Sequence, residues 1–246
     1  VFNGAKMRDL KARPRIVINA TDLYSGAPFA FEAPWFDAIC SDLDAVRLSD
    51  AVAASMAVPV AFRPIVVRTY GRECPYPLAP WVAAAESSRT APMLLRETAR
   101  SFRFFRDSAR MDYVHLSDGG VADNFGVSSI VTLRAASGSP HGPFTARDAV
   151  KLKRFTFFIV NAERNLEGEW PMKEAGPDGP QLVDALLSVW VNAPKRAAAD
   201  AFGREKRACA DLCAGVVGAF ASYRLLWLHA GAAGTRRRAA GLRPRI

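Results

Sequence analysis

The sequence predicts an α/β fold with a mostly parallel central sheet and helices on both faces. Four apolar runs lack the strict alternation of apolar and polar residues, which is typical of strands buried on both faces. They are Arg15–Leu23, Pro64–Tyr70, Tyr113–Ser117 and Arg154–Glu163. Helical segments separate these runs, an order that favours parallel strands joined by helices. With 50% apolar residues, the 246-residue chain can bury one large core.

Caps and helix breakers predict where the helices lie. The segment Leu48–Pro59 is Ala-rich, has Ser49 as a candidate N-cap and stops at Pro59. The remaining predicted helices are Trp81–Asp107, broken at Pro92, then Phe125–Ala135 and Gln181–Asn192, with a further helix after Pro194. Ser25-Gly26 predicts a hairpin turn, and the Pro-rich stretch RECPYPLAPW predicts an irregular excursion.

The basic charge is concentrated near the C-terminus. The chain has a net charge of +9, of which residues 195–246 carry +8, from 11 Lys/Arg and 3 Asp/Glu. The main domain is therefore nearly neutral, which argues against a nucleic-acid-binding fold. We predict a catalytic-type domain at residues 1–207, and a C-terminal helix followed by a basic tail at 208–246. The tail is expected to be poorly ordered after about Gly231, and contact with nucleic acid or an anionic membrane is an alternative role for it.

The cysteines do not form a metal-binding pattern. Cys209 and Cys213 are spaced as on one helix face, and no Cys/His spacing typical of zinc is present, so no metal is predicted. Cys40 and Cys74 lie in two loop-like stretches, where either free thiols or, in an exported protein, a disulfide would fit. The weakly polar run from Leu212 to Gly234 is a poor transmembrane candidate, because it contains an arginine and is mostly Ala and Gly.

The stretch YVHLSDGGVADNFG contains the strongest candidate for a catalytic residue. Asp118 shares a strand face with Val114 and Leu116, so it should emerge from the buried side of the sheet. Gly119 and Gly120 tolerate positive φ and let backbone N–H groups turn toward the carboxylate. An ionised, partly desolvated Asp at a strand end is suited to be a general base.

Simpler interpretations of this stretch exist. Asp-Gly is a common turn pair, so Asp118 can be a turn residue and nothing more. Asp123 and Asn124 fit the N-cap of the following helix. A calcium loop is disfavoured, because the spacing matches neither an EF-hand nor a repeated Gly-rich calcium motif.

Three blocks in order, NATDLYSG, LSDAVAASMAVPVAFRPI and YVHLSDGGVADNFGV, resemble the patatin-like phospholipase family, most closely its bacterial members. The likeness runs from about Arg15 to Ala162. It implies a three-layer α/β/α domain in which a serine in a G-x-S-x-G turn is activated directly by the aspartate of a D-G-[GA] motif. The aspartate falls on Asp118 and the glycines on Gly119 and Gly120; Asn19 and Asn124 are assigned to support the site.

The chain departs from the family pattern in one respect. It contains no G-x-S-x-G motif and no Gly-rich oxyanion loop. Ser55 is expected in mid-helix, packed rather than presented. In the family the nucleophile precedes the NATD region, so we expect it upstream of Val1, with the N-terminal part of the domain. The three histidines are not expected to complete a triad, since His115 faces away from Asp118.

The resemblance implies part of a lipid acyl hydrolase of phospholipase A or esterase type, without a cofactor, acting on a lipid or acyl ester. The alternative is an inactive lipid-binding or regulatory remnant. A peripheral membrane contact through Phe102, Phe104 and Phe105 competes with a core role for these rings. The resemblance favours an exported or membrane-associated location over a cytoplasmic one, and the sequence does not predict the oligomeric state.

Overall fold

The structure is a computed structural model that describes residues 2–11, 14–139, 141–142, 145–151, 154–161, 174, 177–183, 185–186, 188–189 and 222–229. Its strands are β1 (Asn19–Asp22), β2 (Pro28–Ala30), β3 (Ile65–Arg68), β4 (Tyr113–Asp118), β5 (Arg154–Asn161) and β6 (Ser222–His229). Its α-helices include α1 (Ala33–Ile39), α2 (Leu48–Met56), α3 (Pro80–Ser87), α4 (Met93–Arg106), α5 (Gly120–Asp123), α6 (Ser128–Ala136) and α7 (Ala146–Ala149). Single 3₁₀ turns lie at Met7–Asp9 and Gly71–Glu73.

The chain combines helices and strands, which confirms the α/β class, but the expectation of a mostly parallel sheet is wrong. Its strand order is β2-β1-β4-β3, and every neighbouring pair is antiparallel. The β1–β2 pair is the predicted hairpin, with Gly26 at a φ of +70° in its turn. In the centre of the sheet, Ala20 of β1 lies opposite Asp118 of β4.

The number of helices between strands explains the antiparallel order. A single helix returns the chain to the edge where the previous strand began, and the next strand is then parallel. Here two helices, α1 and α2, separate β2 from β3, and two more, α3 and α4, separate β3 from β4. A pair of helices returns the chain to the opposite edge, so the next strand runs in the opposite direction.

Two segments, residues 19–22 and 222–229, differ from their predicted structure. The predicted polar loop NATD is strand β1 itself, and the apolar residues 16–18 precede the strand. The strand predicted at Arg154–Glu163 is confirmed as β5, but it pairs in parallel with β6 in a separate two-stranded sheet. Residues 222–229, which fall in the segment predicted as a C-terminal helix and basic tail, instead form strand β6, whereas 208–221 and the tail from 230 lie outside the described residues.

Aromatic side chains form the centre of the core. Seven edge-to-face or tilted ring pairs connect them, and the rings are all fully buried except that of Trp81: Phe29, Phe31, Trp35, Phe36, Trp81, Phe102 and Phe105. The predicted break at Pro92 is confirmed as the gap between α3 and α4. Helix α4 thus contributes two of its phenylalanines to the core, and the third, Phe104, stacks on Tyr24 at 5.2 Å. The core role of these rings is confirmed, and Phe102 and Phe105 are not available to a membrane.

Two long-range links fix the C-terminal end of α1. Cys40 and Cys74 form a disulfide with their Cα atoms 5.6 Å apart, which confirms the pairing that the sequence left open. The Arg106 guanidinium donates hydrogen bonds to the backbone oxygens of Asp37 and Ala38, two carbonyls in the last turn of the helix. This end of α1 is therefore held both covalently and by a charge-assisted cap.

Candidate active site

Asp118 is the last residue of β4, the strand that lies between β1 and β3. Val114 and Leu116 on its strand face are completely buried, as predicted, and Asp118 is partly buried. Beyond the strand the chain enters α5 and then α6, so the carboxylate lies at a strand end facing a cavity of about 470 Å³. The predicted base therefore lines a shallow cavity that is open to solvent.

The carboxylate is held by the turn that follows it. Its Oδ1 accepts a hydrogen bond of 2.7 Å from the backbone N–H of Gly120, and no described residue bonds to Oδ2. This is the local N–H donor that the two glycines were predicted to supply. A carboxylate with one oxygen fixed and the other without a protein partner can accept a proton from a group that enters the cavity.

The reason for the glycines differs from the prediction. Gly119 has a φ of −63°, and Gly120 is likewise outside the positive-φ region, so neither is required for backbone conformation. A Cβ on Gly119 would instead lie 2.6 Å from the backbone oxygen of Asn19. A Cβ on Gly120 would lie 3.0 Å from Asp118 Oδ1. Close packing against β1 and against the carboxylate is what these positions require.

Three contacts hold the backbone around Asp118. Its N–H donates to the oxygen of Ala57 at 2.9 Å, at the C-terminal end of α2. Its carbonyl accepts from the Thr21 hydroxyl at 2.8 Å, and that hydroxyl accepts from the N–H of Ala122 at 3.1 Å. Since the Thr21 side chain is 1% exposed, these bonds are shielded from water. Asp118 is thereby fixed to β1 on one side and α2 on the other.

The two predicted supporting asparagines both line the cavity. Asn19 Nδ2 donates a long hydrogen bond of 3.5 Å to the oxygen of Gly126. The Nδ2 of Asn124 is buried and has no partner in the described part of the chain. Asp123, which is 4% exposed, accepts the N–H of Ser128 at 2.6 Å and so caps α6. The predicted N-cap is wrong for both residues, because Val127 is the N-cap of α6, although the Asp123 carboxylate does accept an N–H of its first turn.

Ser55 is not where the sequence placed it. Helix α2 ends at Met56, so Ser55 lies in its last turn, partly buried, and it lines the same cavity as Asp118. Its backbone oxygen accepts a 3.4 Å hydrogen bond from Gly119. The expectation that Ser55 is packed in mid-helix is wrong, because the helix ends at Met56, three residues before Pro59, where it was predicted to stop.

Polar and apolar side chains both line the cavity. The polar part of the lining comprises Asp118, Asp123, Ser55 and the two asparagines. The apolar part comes from the segment before β1, from α2 and from the loop after α5: Val17, Ile18, Val52, Met56 and Phe125. A mixed lining with a few polar groups is the usual composition of a site for a small molecule with an apolar part.

One residue that holds the site, Thr21, was not predicted from the sequence. Thr21 gives no signal in the sequence, because its role depends on β1 lying beside β4. His115 is exposed on the opposite face of β4, in agreement with the prediction that it forms no triad with Asp118. Within the described ranges, no group of three or more His, Cys, Asp or Glu side chains could hold a metal ion.

Comparisons with family models, curated proteins and solved structures found no match for this chain. In the parts of the chain that the structure describes, no helix has the length and apolar character needed to cross a bilayer.

Proposed function

We propose that this chain is the part of a lipid acyl hydrolase that supplies the general base, with Asp118 in that role. The single observation that carries the proposal is the geometry of Asp118. One carboxylate oxygen is fixed by the Gly120 N–H, and no described residue bonds to the other. The side chain lines a cavity whose lining is partly apolar. The sequence blocks that resemble patatin-like phospholipases support the same role.

In the proposed reaction, Oδ2 of Asp118 takes the proton of a serine hydroxyl as its oxygen attacks the acyl carbonyl. The tetrahedral intermediate collapses, the ester C–O bond breaks, and the alcohol leaves with the proton that Asp118 held. Water then attacks the acyl-serine as Asp118 takes its proton, the bond between the acyl carbon and the serine oxygen breaks, the serine oxygen receives the proton back from Asp118, and the carboxylic acid is released. The apolar part of the lining accommodates the acyl chain, whose burial favours binding by about 0.8 kcal/mol per CH₂.

The proposal needs a nucleophilic serine, and residues 1–246 contain no G-x-S-x-G motif that would supply it. A fluorophosphonate probe with peptide mass spectrometry on the full-length protein identifies it. We expect the label in a G-x-S-x-G segment that precedes residue 1. Because Ser55 shares the cavity with Asp118, Ser55→Ala is the necessary control and should leave labelling unchanged. Labelling that disappears in Ser55→Ala would assign the nucleophile to α2 instead.

The role of Asp118 is tested with Asp118→Asn and Asp118→Ala in the full-length protein, using a short-chain nitrophenyl ester. The Asn variant keeps an oxygen that can accept the Gly120 N–H, so the fold should be retained. We expect kcat to fall by several orders of magnitude, since a general base alone contributes about 10²- to 10⁴-fold. Asp42→Asn, on an exposed loop at a different cavity, is the matched control.

Two outcomes would contradict the proposal. Hydrolysis by Asp118→Asn at nearly the unmutated rate rejects Asp118 as the base. A folded protein that binds acyl lipids but neither reacts with the probe nor hydrolyses esters favours the alternative, a catalytically inactive lipid-binding remnant.

A further inference from the structure

The segment that follows α2 exposes an unusual amount of apolar surface. Four side chains within seven residues are open to solvent: Met56 at 64%, Val58 at 36%, Val60 at 84% and Phe62 at 64%. The segment is ordered by a backbone hydrogen bond of 3.0 Å from the N–H of Phe62 to the carbonyl of Val58. We refer to residues 56–62 as the apolar turn. It is a closed projection, not a groove.

The backbone of the apolar turn is unfavourable for the residue at its tip. Val60 has a φ of +73°, a conformation in which a β-branched side chain is a rare outlier. Turns that need positive φ ordinarily use Gly, Asn or Asp, which adopt it with little strain. A valine at this position is both strained and exposed, so neither turn geometry nor core packing accounts for it. Such a cost is typical of a residue whose side chain is used in binding.

The apolar turn lies in a stretch whose charged residues are all arginines. Residues 51–72 contain Arg63, Arg68 and Arg72 and no Asp or Glu, whereas the carboxylate of Asp118 lies in the cavity that Met56 also lines. Arg63, directly after the turn, is exposed and has no acidic partner in the described residues. Arg68 lies over the Tyr70 ring at 5.2 Å, and Arg72 donates to the oxygen of Ser108. Exposed apolar tips beside unopposed cations are complementary to an anionic lipid surface.

The apolar turn borders the candidate active site. Met56 lines the Asp118 cavity while remaining largely exposed, so it lies at the cavity mouth. The next residue, Ala57, accepts the backbone N–H of Asp118 at 2.9 Å. A lipid surface in contact with the turn would therefore be at the entrance through which an acyl chain reaches the base.

We propose that the apolar turn docks the protein on an anionic lipid bilayer, with Val58, Val60 and Phe62 inserted among the acyl chains and Arg63 at the headgroups. The functional meaning of this contact rests on the proposed lipid hydrolysis at Asp118, but the docking itself does not require catalysis. A second copy of the chain, or another segment of the same protein, is a competing occupant. The bilayer is favoured because the turn exposes four apolar side chains directly before Arg63, which has no acidic partner in the described residues, and a bilayer provides the matching anionic, apolar layer.

The deciding variant is Val60→Asn. Asparagine tolerates positive φ, so the melting temperature should stay unchanged or rise, while an apolar insertion group is lost. In co-sedimentation of the full-length protein with phosphatidylcholine vesicles containing phosphatidylglycerol, we expect partitioning to fall about tenfold, the effect of one buried Val side chain. Val150→Asn is the control: Val150 is 81% exposed and outside this surface, so its variant should partition normally.

Arg63→Gln tests the electrostatic part. We expect its partitioning to fall about fivefold on vesicles with phosphatidylglycerol, and to be unaffected on vesicles of phosphatidylcholine alone. Hydrolysis of a soluble short-chain ester should be unchanged in Val60→Asn and Arg63→Gln, whereas Asp118→Asn should abolish it without altering vesicle partitioning. Docking and catalysis therefore fail separately.

Two results would overturn the docking proposal. One is an unmutated protein that does not partition onto the vesicles, or Val60→Asn and Phe62→Ser variants that partition as well as the Val150→Asn control. The other is a change in oligomeric state or a loss of stability in Val60→Asn without an effect on vesicles, which would assign the turn to a protein interface.

Discussion

Gly119→Ala tests directly whether Asp118 is positioned by close packing of its turn against β1. The added Cβ would lie 2.6 Å from the backbone oxygen of Asn19 and 2.9 Å from its carbonyl carbon. These atoms cannot move freely, because β1 is hydrogen-bonded to β2 on one side and β4 on the other. The φ of −63° suits alanine, so the backbone conformation adds no penalty and the effect is steric alone.

Forcing one methyl group into a packed site of this kind costs about 1–3 kcal/mol in the free energy of unfolding. In a domain of this size, each kcal/mol lowers the melting temperature by roughly 2–4 °C. Urea unfolding followed by circular dichroism measures the free energy, and hydrolysis of a short-chain ester reports the position of Asp118. We expect both stability and activity to fall, since the turn that holds the carboxylate must shift.

Two glycine variants make the result interpretable. Gly120→Ala brings a Cβ to 3.0 Å from side-chain atoms of Asp118 and Asn124, which can rotate away, so activity should fall with a smaller loss of stability. Gly179→Ala has no atom within 4 Å of its Cβ and should change the free energy of unfolding by less than about 1 kcal/mol. If Gly119→Ala unfolds within 0.5 kcal/mol of the unmutated protein, taking about 0.5 kcal/mol as the ordinary surface effect, the packing argument is refuted.

Three further predictions concern the framework around the site, each measured by urea unfolding. Thr21→Val should cost about 1–3 kcal/mol, because it removes the side-chain hydrogen bonds to two partly buried backbone groups, and Thr21→Ser should restore most of the loss. Arg15→Ala should destabilise by no more than about 1 kcal/mol, because it removes the cation beside the buried Glu32 but the Arg15 side chain is 62% exposed and solvent screens the pair. The hydrogen bond to Glu32, opposed by burial and aided by the charge of Glu32, raises the pKa of Arg15. An Arg15→Lys variant that behaves like Arg15→Ala would show that the fork geometry of the guanidinium matters. Reduction of Cys40–Cys74, 34 residues apart, should cost about 2–4 kcal/mol, and an unchanged midpoint in dithiothreitol would contradict this.

The sequence predicted where many elements lie better than how the strands pair. Leu48 begins α2, Pro92 separates α3 from α4, and Arg154 begins β5, as predicted, although Arg47 and not Ser49 is the N-cap of α2. Strand direction depends on whether one helix or two separates consecutive strands. Helix α1 was not predicted, because Cys40 was placed in a loop-like stretch, so only one helix was expected between β2 and β3.

The site shows the same division between local and long-range information. The Gly120 N–H bond to Asp118 spans two residues and could be predicted from the Asp-Gly-Gly motif. The contacts of Thr21 with Asp118 and of Gly119 with Asn19 span about 100 residues and exist only because β1 lies beside β4. The sequence therefore suggested positive φ as the reason for a glycine at position 119, whereas the actual reason is the close approach of strand β1.

The two proposals meet at the C-terminal end of α2. The oxygen of Ala57 accepts the backbone N–H of Asp118, and Ala57 belongs to the apolar turn, which has the strained Val60 at its tip. A hydrogen bond of 2.9 Å between the two segments means that a displacement of the turn on a bilayer would be transmitted to the base through a single peptide group. Lipid docking should therefore alter kcat on a soluble ester as well as partitioning. A kcat that is identical with and without anionic vesicles, at full binding, would show that the turn docks the protein without adjusting Asp118.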